Sequence, residues 1–368
     1  MNSFGHGGRG CRAGVSARAL GVVSLAAAGA LLASFAPWRA GAQSAVIRGT
    51  VVDPVGGPLG YSIVSLDATD RSILTDELGR FVIVGLEAGG YHLRARHLGY
   101  LPLDTTVTIT AGDAPYLELR LTHLTVQLST MRVVAPGPCV HPGPPDPAIE
   151  PTLAAIFGQL RDNAERAVAL GRQFPFVFQM ERRFSVRSTN MSARPIGTDT
   201  TVIDGTLRWP YRPGHIVTMV NDRGHQVRQL NIPGLVQLAD SAFHASHCFS
   251  YGGVEELNGA PYIRVDFEPD EGIDEPEITG SAYLDTAGYQ VQRIVMSLTR
   301  TSRLDPYIVA LRVTSSFREI VPSIVILDSA EGVTSFEMPG GGPQVRTERQ
   351  KTVKVIFVRG TPPGTALP

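Results

Sequence analysis

The sequence predicts a mostly β protein: an N-terminal β-sandwich, then a second antiparallel, curved β-sheet domain with one packed helix. Three observations carry that expectation. Segments of period-two alternation recur along most of the chain, the pattern of strands with one buried and one wet face. One stretch instead repeats apolar residues at three and four, as a helix does. A Pro- and Gly-rich run separates the two β-rich regions.

At 368 residues and 43% hydrophobic content the chain has room and apolar mass for about two domains. The reading divides it into 1–42, a signal peptide; 43–134, a sandwich; 135–150, a linker; 151–360, a helix-plus-sheet domain; and 361–368, a tail. Arg9, Arg12 and Arg18 precede an apolar stretch at 19–35, and Ala40-Gly41-Ala42 is a small-residue cleavage site, so Gln43 is expected to open the mature chain. The stretch is short for a membrane anchor, and no other run is long enough to span as a helix. No Cys follows it in the position of a lipoprotein anchor. The protein is therefore expected to be exported: periplasmic, outer-membrane-associated or secreted. Net charge is −1, and losing the four arginines of 1–42 leaves about −5. That argues against a nucleic-acid-binding surface and equally against a polybasic membrane anchor. Cys11 leaves with the leader. Cys139 and Cys248 remain, an even pair in an oxidising compartment, and are expected to form a disulfide tying the linker to the second domain.

In the first domain Tyr91, Leu93 and Ala95 alternate with His92, Arg94 and Arg96. Val107 and Ile109 alternate with threonines, and Leu117, Leu119 and Leu121 with polar residues. About seven such strands suit a small sandwich. Phe81, Tyr91, Leu93, Val107, Ile109, Leu119 and Leu121 are expected in its core, and the sandwich is expected to stand independently. Asp76-Glu77-Leu78-Gly79 places Gly where a hairpin needs positive φ, and 53–58 is too rich in Gly and Pro for a strand interior.

Taken together, Gly49-Thr50-Val51-Val52-Asp53, Gly57-Pro58-Leu59, Val64, the run 75–81, Gly85-Leu86, Gly90-Tyr91-His92-Leu93 and Gly99-Tyr100 resemble a carboxypeptidase regulatory-like domain. The resemblance implies a seven-stranded transthyretin-like sandwich. It is the accessory module of metallocarboxypeptidases and the N-terminal module of many TonB-dependent receptors and surface proteins, and it implies no peptidase activity. Gly60-Tyr61 departs from the family's small residue there.

In the second domain, Pro151 suits a first helical turn, Leu153, Ile156, Leu160, Ala164 and Ala167 form one stripe, and Gly171 is a plausible stop. The stripe is expected to pack on a neighbouring sheet. Phe176, Phe178, Met180, Arg182, Phe184 and Val186 alternate with polar residues, a one-sided strand. Further strands are expected near 199–210, 214–221, 261–268, 277–285, 289–300, 307–319, 322–328 and 345–358, with Asp285-Thr286-Ala287-Gly288 as a turn on the logic of 76–79. This outline is similar to periplasmic half-barrel carriers of the lipoprotein-sorting kind.

No His has Glu three residues on, and neither H-E-x-x-H nor G-x-S-x-G occurs. The zinc motif of a metallocarboxypeptidase is thus absent, and no catalytic residue or cofactor is assigned. His244, His247 and Cys248 are candidate metal ligands of zinc or copper type. The alternative, Cys248 in a disulfide and both His on a loop, is preferred because Cys139 needs a partner. Glu268, Asp270, Glu271, Asp274, Glu275 and Glu277 lack a calcium-loop pattern and read as a solvated hairpin loop. The stripe His92, Arg94, Arg96 reads as a wet strand face, with anion binding as its alternative. The leading functional expectation is a non-catalytic envelope protein that binds an envelope partner or extracellular ligand through a sheet face or the interdomain cleft. The alternatives are a hydrolase with an unrecognised active site, and an accessory protein related to TonB-dependent receptors. About 218 residues follow the linker, too few for a 22-stranded transporter barrel at ~10 residues per strand.

Overall fold

The computed structural model describes residues 44–67, 71–126, 137–188, 191–205, 209–222 and 224–363. The expected leader, its cleavage site and the last five tail residues lie outside them.

Seven strands make the N-terminal part: β1 (Ala45–Val52), β2 (Ile63–Leu66), β3 (Arg71–Leu74), β4 (Arg80–Leu86), β5 (Gly89–Arg96), β6 (Leu103–Ile109) and β7 (Tyr116–Arg120). They form two sheets, β4-β1-β7 and β3-β2-β5-β6, with β1 parallel to β7 and the other pairs antiparallel. Alternate residues meet between the sheets, where Val51, Phe81, Leu93, Ile109, Leu119 and Leu121 are buried together. Tyr91 and Val107 are only half-buried. They sit opposite one another on β5 and on β6, an edge strand with no neighbour to cover it. Gly79 has φ +72° in the 76–79 hairpin. At Gly49 a Cβ would lie 2.1 Å from the Leu117 carbonyl oxygen and 2.7 Å from the Phe81 ring, so the closeness of β1 and β7 demands glycine.

The second part opens with α1 (Pro151–Gln173) and continues through β8 (Phe176–Ser188), β9 (Arg194–Asp204), the hairpin β10 (Val217–Asp222) and β11 (His225–Leu230), and α2 (Ser241–Ala245). Then come β12 (His247–Leu257), β13 (Ala260–Pro269), β14 (Ile278–Asp285), β15 (Val291–Leu298), α3 (Thr301–Leu304), β16 (Ile308–Val321), β17 (Ile324–Met338) and β18 (Gly342–Phe357). One antiparallel nine-stranded sheet runs β12-β13-β14-β15-β16-β17-β18-β8-β9, and it is open, with edges at β12 and β9. Leu153, Ile156, Leu160 and Ala164 of α1 are buried against it, together with Phe243, Phe267 and Ile294.

Three local expectations need correction. Gly171 does not stop α1; it is buried inside the helix, which ends before Phe174 because Pro175 disfavours helical geometry in the residue preceding it. In the 285–288 turn the left-handed residue is Tyr289 (φ 55°) rather than Gly288. Asn163 donates to its carbonyl at 2.8 Å, and Asp285 accepts from Ala287 and Gln290. Strand β12 is absent from the sequence reading, since a bulge at Gly252 shifts its register between Tyr251 and Gly253 and breaks the alternation.

Cys139 is bonded to Cys248, with Cα atoms 5.5 Å apart. The preceding linker segment is not free: Cys139 bridges to Asp270, and Gly143 donates to the His247 carbonyl at 2.9 Å. Residues 137–143 thus lie along the β12 end of the sheet. In the chain-entropy model closing a loop of 109 residues contributes about 4–5 kcal/mol.

Candidate binding cleft

The seam between sandwich and sheet is built on α1. Beside its apolar stripe, Gln159, Asp162, Asn163 and Arg166 recur at three and four and are all buried. Their partners come from both sides. Gln159 accepts from the Gly99 amide at 2.8 Å and donates to the Tyr100 carbonyl at 3.3 Å. Asn163 accepts from the Val291 amide at 3.0 Å. Arg166 donates Nε to the Ser323 carbonyl at 2.9 Å. The sandwich's Arg96, from the end of β5, meets Asp162 at 2.6 Å and also Glu165. Arg96 is therefore no wet residue. His92 is exposed, Arg94 reaches Asp104 at 3.7 Å, and only Arg96 runs under α1. The three do not share one anion site.

Burial opposes the charge on Arg96, but Asp162 and Glu165 outweigh it and hold its pKa above the ordinary value. Burial pushes the Asp162 carboxyl up while Arg96 pulls it down. With a guanidinium at 2.6 Å the pair is ionised at neutral pH. Arg166 is lowered to about 10 by burial, against the attraction of Asp162. His97 is neutral: burial and then Arg166 hold it well below the usual imidazole range, and its ring meets Ser62 Oγ at 3.0 Å and Ser323 Oγ at 3.4 Å.

Next to this seam opens a cleft of about 710 Å³. The sandwich supplies Asp67, Arg71 and Arg96; α1 supplies Glu165, Val168 and Arg172. Trp209, Pro210, Val236 and Asp240, from the chain between β9 and α2, close it. Apolar and charged groups of both signs thus face one concavity shared by both parts of the molecule.

The other candidates resolve differently. His244 lies on α2 and His247 and Cys248 on β12, so none is a loop residue. His244 Nε2 faces the Leu238 carbonyl at 2.5 Å, and His247 faces the Phe243 and Ile278 carbonyls at 3.0 and 3.2 Å. The Cys248 sulfur is bonded to Cys139. No group of three or more His, Cys, Asp or Glu among the described residues is placed to hold a metal ion. Within the acidic stretch, Glu277 is not solvated. It is fully buried, accepts from the Gly214 and Ile278 amides at 2.8 and 3.0 Å, and has its pKa raised by burial. Sequence reasoning missed Asp162, Arg166 and Trp209, and it placed Arg96 on a wet strand face where the fold buries it. On α1, positions 159, 162, 163 and 166 read as the solvent face of a helix buried on one side, so no local signal marks them.

The carboxypeptidase regulatory-like domain model matches residues 46–122, and the N-terminal part is such a domain. No curated protein matches the chain by sequence. Among solved structures it is similar to catechol 1,2-dioxygenase from Acinetobacter sp. ADP1, at 15% identity over 27% of this chain, with TM-score 0.21. It covers 59% of that chain, less than two thirds of the enzyme's length. It is also similar to a LolA superfamily protein from Nitrosomonas europaea, at 9% identity, 56% of this chain, 94% of that chain and TM-score 0.27. A DUF1329 family protein from Desulfovibrio piger gives 9%, 56%, 93% and 0.31. At such scores these likenesses carry no functional weight.

Proposed function

We propose that this is an exported, non-catalytic binding protein of the bacterial envelope that holds a ligand in the cleft between sandwich and sheet. The observation that carries the reading is the cleft itself, which neither part forms alone and whose lining mixes apolar and charged groups in the manner of a ligand site. Two features support export: the leader-like layout of 1–42, and a disulfide suited to an oxidising compartment. The absence of a recognised catalytic motif supports a binding role, as does the commitment of His244 and His247 to main-chain carbonyls. Val168→Trp fills the cleft from α1 with a larger ring. The native chain, incubated with a small-molecule extract of the envelope and washed, is expected to retain a compound that the folded Val168→Trp variant loses. Equal retention by both, or retention by neither, refutes the reading.

A further inference from the structure

The charges of the cleft divide into those already answered and those left open. Glu165 lies between Arg96 and Arg161, 3.4 Å from the latter. Asp240 gives one oxygen to the Ala242 amide at 2.9 Å and the other to the Tyr211 amide at 3.1 Å. Arg96 is closed by two carboxylates. Arg172, in the last turn of α1, has no carboxylate in ion-pair reach among the described residues. Arg71 donates to the Val84 carbonyl at 2.8 Å and likewise meets no carboxylate among them. Among the described residues of the cleft one acid without an ion pair, Asp67, stands against these two arginines, and beside them lies the apolar surface of Trp209, Pro210 and Val236.

We infer that the cleft selects an amphiphilic anion, a carboxylate or phosphate monoester joined to an apolar group, with the anion on Arg172 and Arg71 and the apolar part against Trp209. The inference rests on the cleft being the ligand site. Guanidinium forks match the planar or tetrahedral oxygens of such anions, and both arginines are exposed at the cleft and open to a ligand from solvent. An indole wall accepts an apolar group of almost any shape.

Trp209 also supplies the readout, since the other tryptophan of the sequence is Trp38, inside the expected leader. The mature chain is titrated with 4-phenylbutanoate, phenyl phosphate, 4-phenylbutanamide and 4-phenylbutylamine, following Trp209 fluorescence and heat of binding. At least one of the two anions is expected to bind saturably, with the amide and the amine at least about tenfold weaker, the scale of a charge-assisted hydrogen bond. Which anion binds more tightly separates a carboxylate from a phosphate source. Arg172→Ala and Arg71→Ala are each expected to weaken the anion several-fold, and Val168→Trp, followed by heat of binding alone because it adds a tryptophan, to abolish binding. If the amide or amine binds as tightly as the anions and Val168→Trp still blocks it, the charge selection is wrong and the cleft reading stands. If Arg172→Ala lowers the melting temperature without touching affinity, Arg172 only complements the helix terminus, and the proposal fails. If none of the four probes binds, the selection for an amphiphilic anion fails, and the envelope-extract comparison alone decides the cleft reading.

Discussion

His247 shows how a residue that reads as a ligand becomes a core residue. It is fully buried, stacked on Phe243 with ring centroids 4.1 Å apart and edge-on to Phe267. Its two nitrogens face carbonyls at 3.0 and 3.2 Å, which favours the charged ring, but burial outweighs them and lowers its pKa to about 4. His244 and His97 are lowered too, each by burial first. Their unfolded values lie near 6.5, so below that pH the unfolded chain binds protons that the folded chain refuses. The stability that these neutral histidines contribute is therefore complete above pH 6.5 and is lost as pH falls towards about 4. For His247 alone the loss is on the order of 3 kcal/mol. Urea unfolding across this range is expected to show that decline, and His247→Gln to flatten it while lowering stability at neutral pH. Parallel pH profiles for wild type and variant contradict the assignment. The sequence exposes the cluster 244–248 plainly. It does not expose the aromatic shell, because Phe243, Phe249 and Phe267 come together only through the pairing of β12 with β13.

Helix α1 is half legible in the sequence. Its apolar stripe is legible at the spacing of Leu153, Ile156, Leu160 and Ala164, and that face packs on the nine-stranded sheet as expected. The second face is polar in sequence and buried in the fold, because the sandwich comes down on it. Nothing local marks Gln159 or Asp162 as buried, since their partners, Gly99 and Arg96, lie about sixty residues away. Strands were more legible where alternation is clean, as in β5, β7 and β8, than where a bulge breaks it, as in β12. The seam gives a test at this scale. Asp162→Ala is expected to cost about 3 kcal/mol, because it strips the nearer carboxylate from a buried guanidinium. Glu165→Gln should cost less, since Glu165 is one-third exposed (32%) and shares its charge with Arg161. The double variant Arg96→Met with Asp162→Leu should recover most of the loss, as apolar replacements of buried ion pairs do. Denaturant midpoints of the four proteins decide it. A Glu165→Gln penalty as large as that of Asp162→Ala places the weight of the ion pair elsewhere.

At the scale of the whole molecule the sandwich and the large sheet are separate in topology but joined in packing. The sandwich has its own core, yet Tyr61, Ile63 and Leu74 are not in it. They are buried in a separate cluster with Leu170 of α1, Phe176, and Ile320, Ile324 and Val355 of the large sheet. Strand β2 is thus buried on both faces: Val64 and Leu66 point into the sandwich, and Ile63 points out to α1. In sequence, β2 is only a short apolar run, and such a run does not say how many of its faces are covered. This shared burial argues against a sandwich that stands independently. Detaching it would expose three large apolar side chains and leave Arg96 without its carboxylates. Fully burying one such side chain contributes about 1.5–3 kcal/mol, so the separation would cost on the order of 5–9 kcal/mol in apolar contact alone, comparable to the whole stability of a small domain. A chain that begins at Gln43 is therefore expected to unfold as one unit in calorimetry, with van't Hoff and calorimetric enthalpies in agreement. A chain of residues 44–126 alone should melt well below it or associate. Ile63→Ser in the full protein tests the same contact without truncation. It should lower the midpoint of the single transition and uncouple it into two. Two separate transitions in the unmodified protein, or an isolated sandwich as stable as the full chain, would mean that the apolar seam does not couple the two halves.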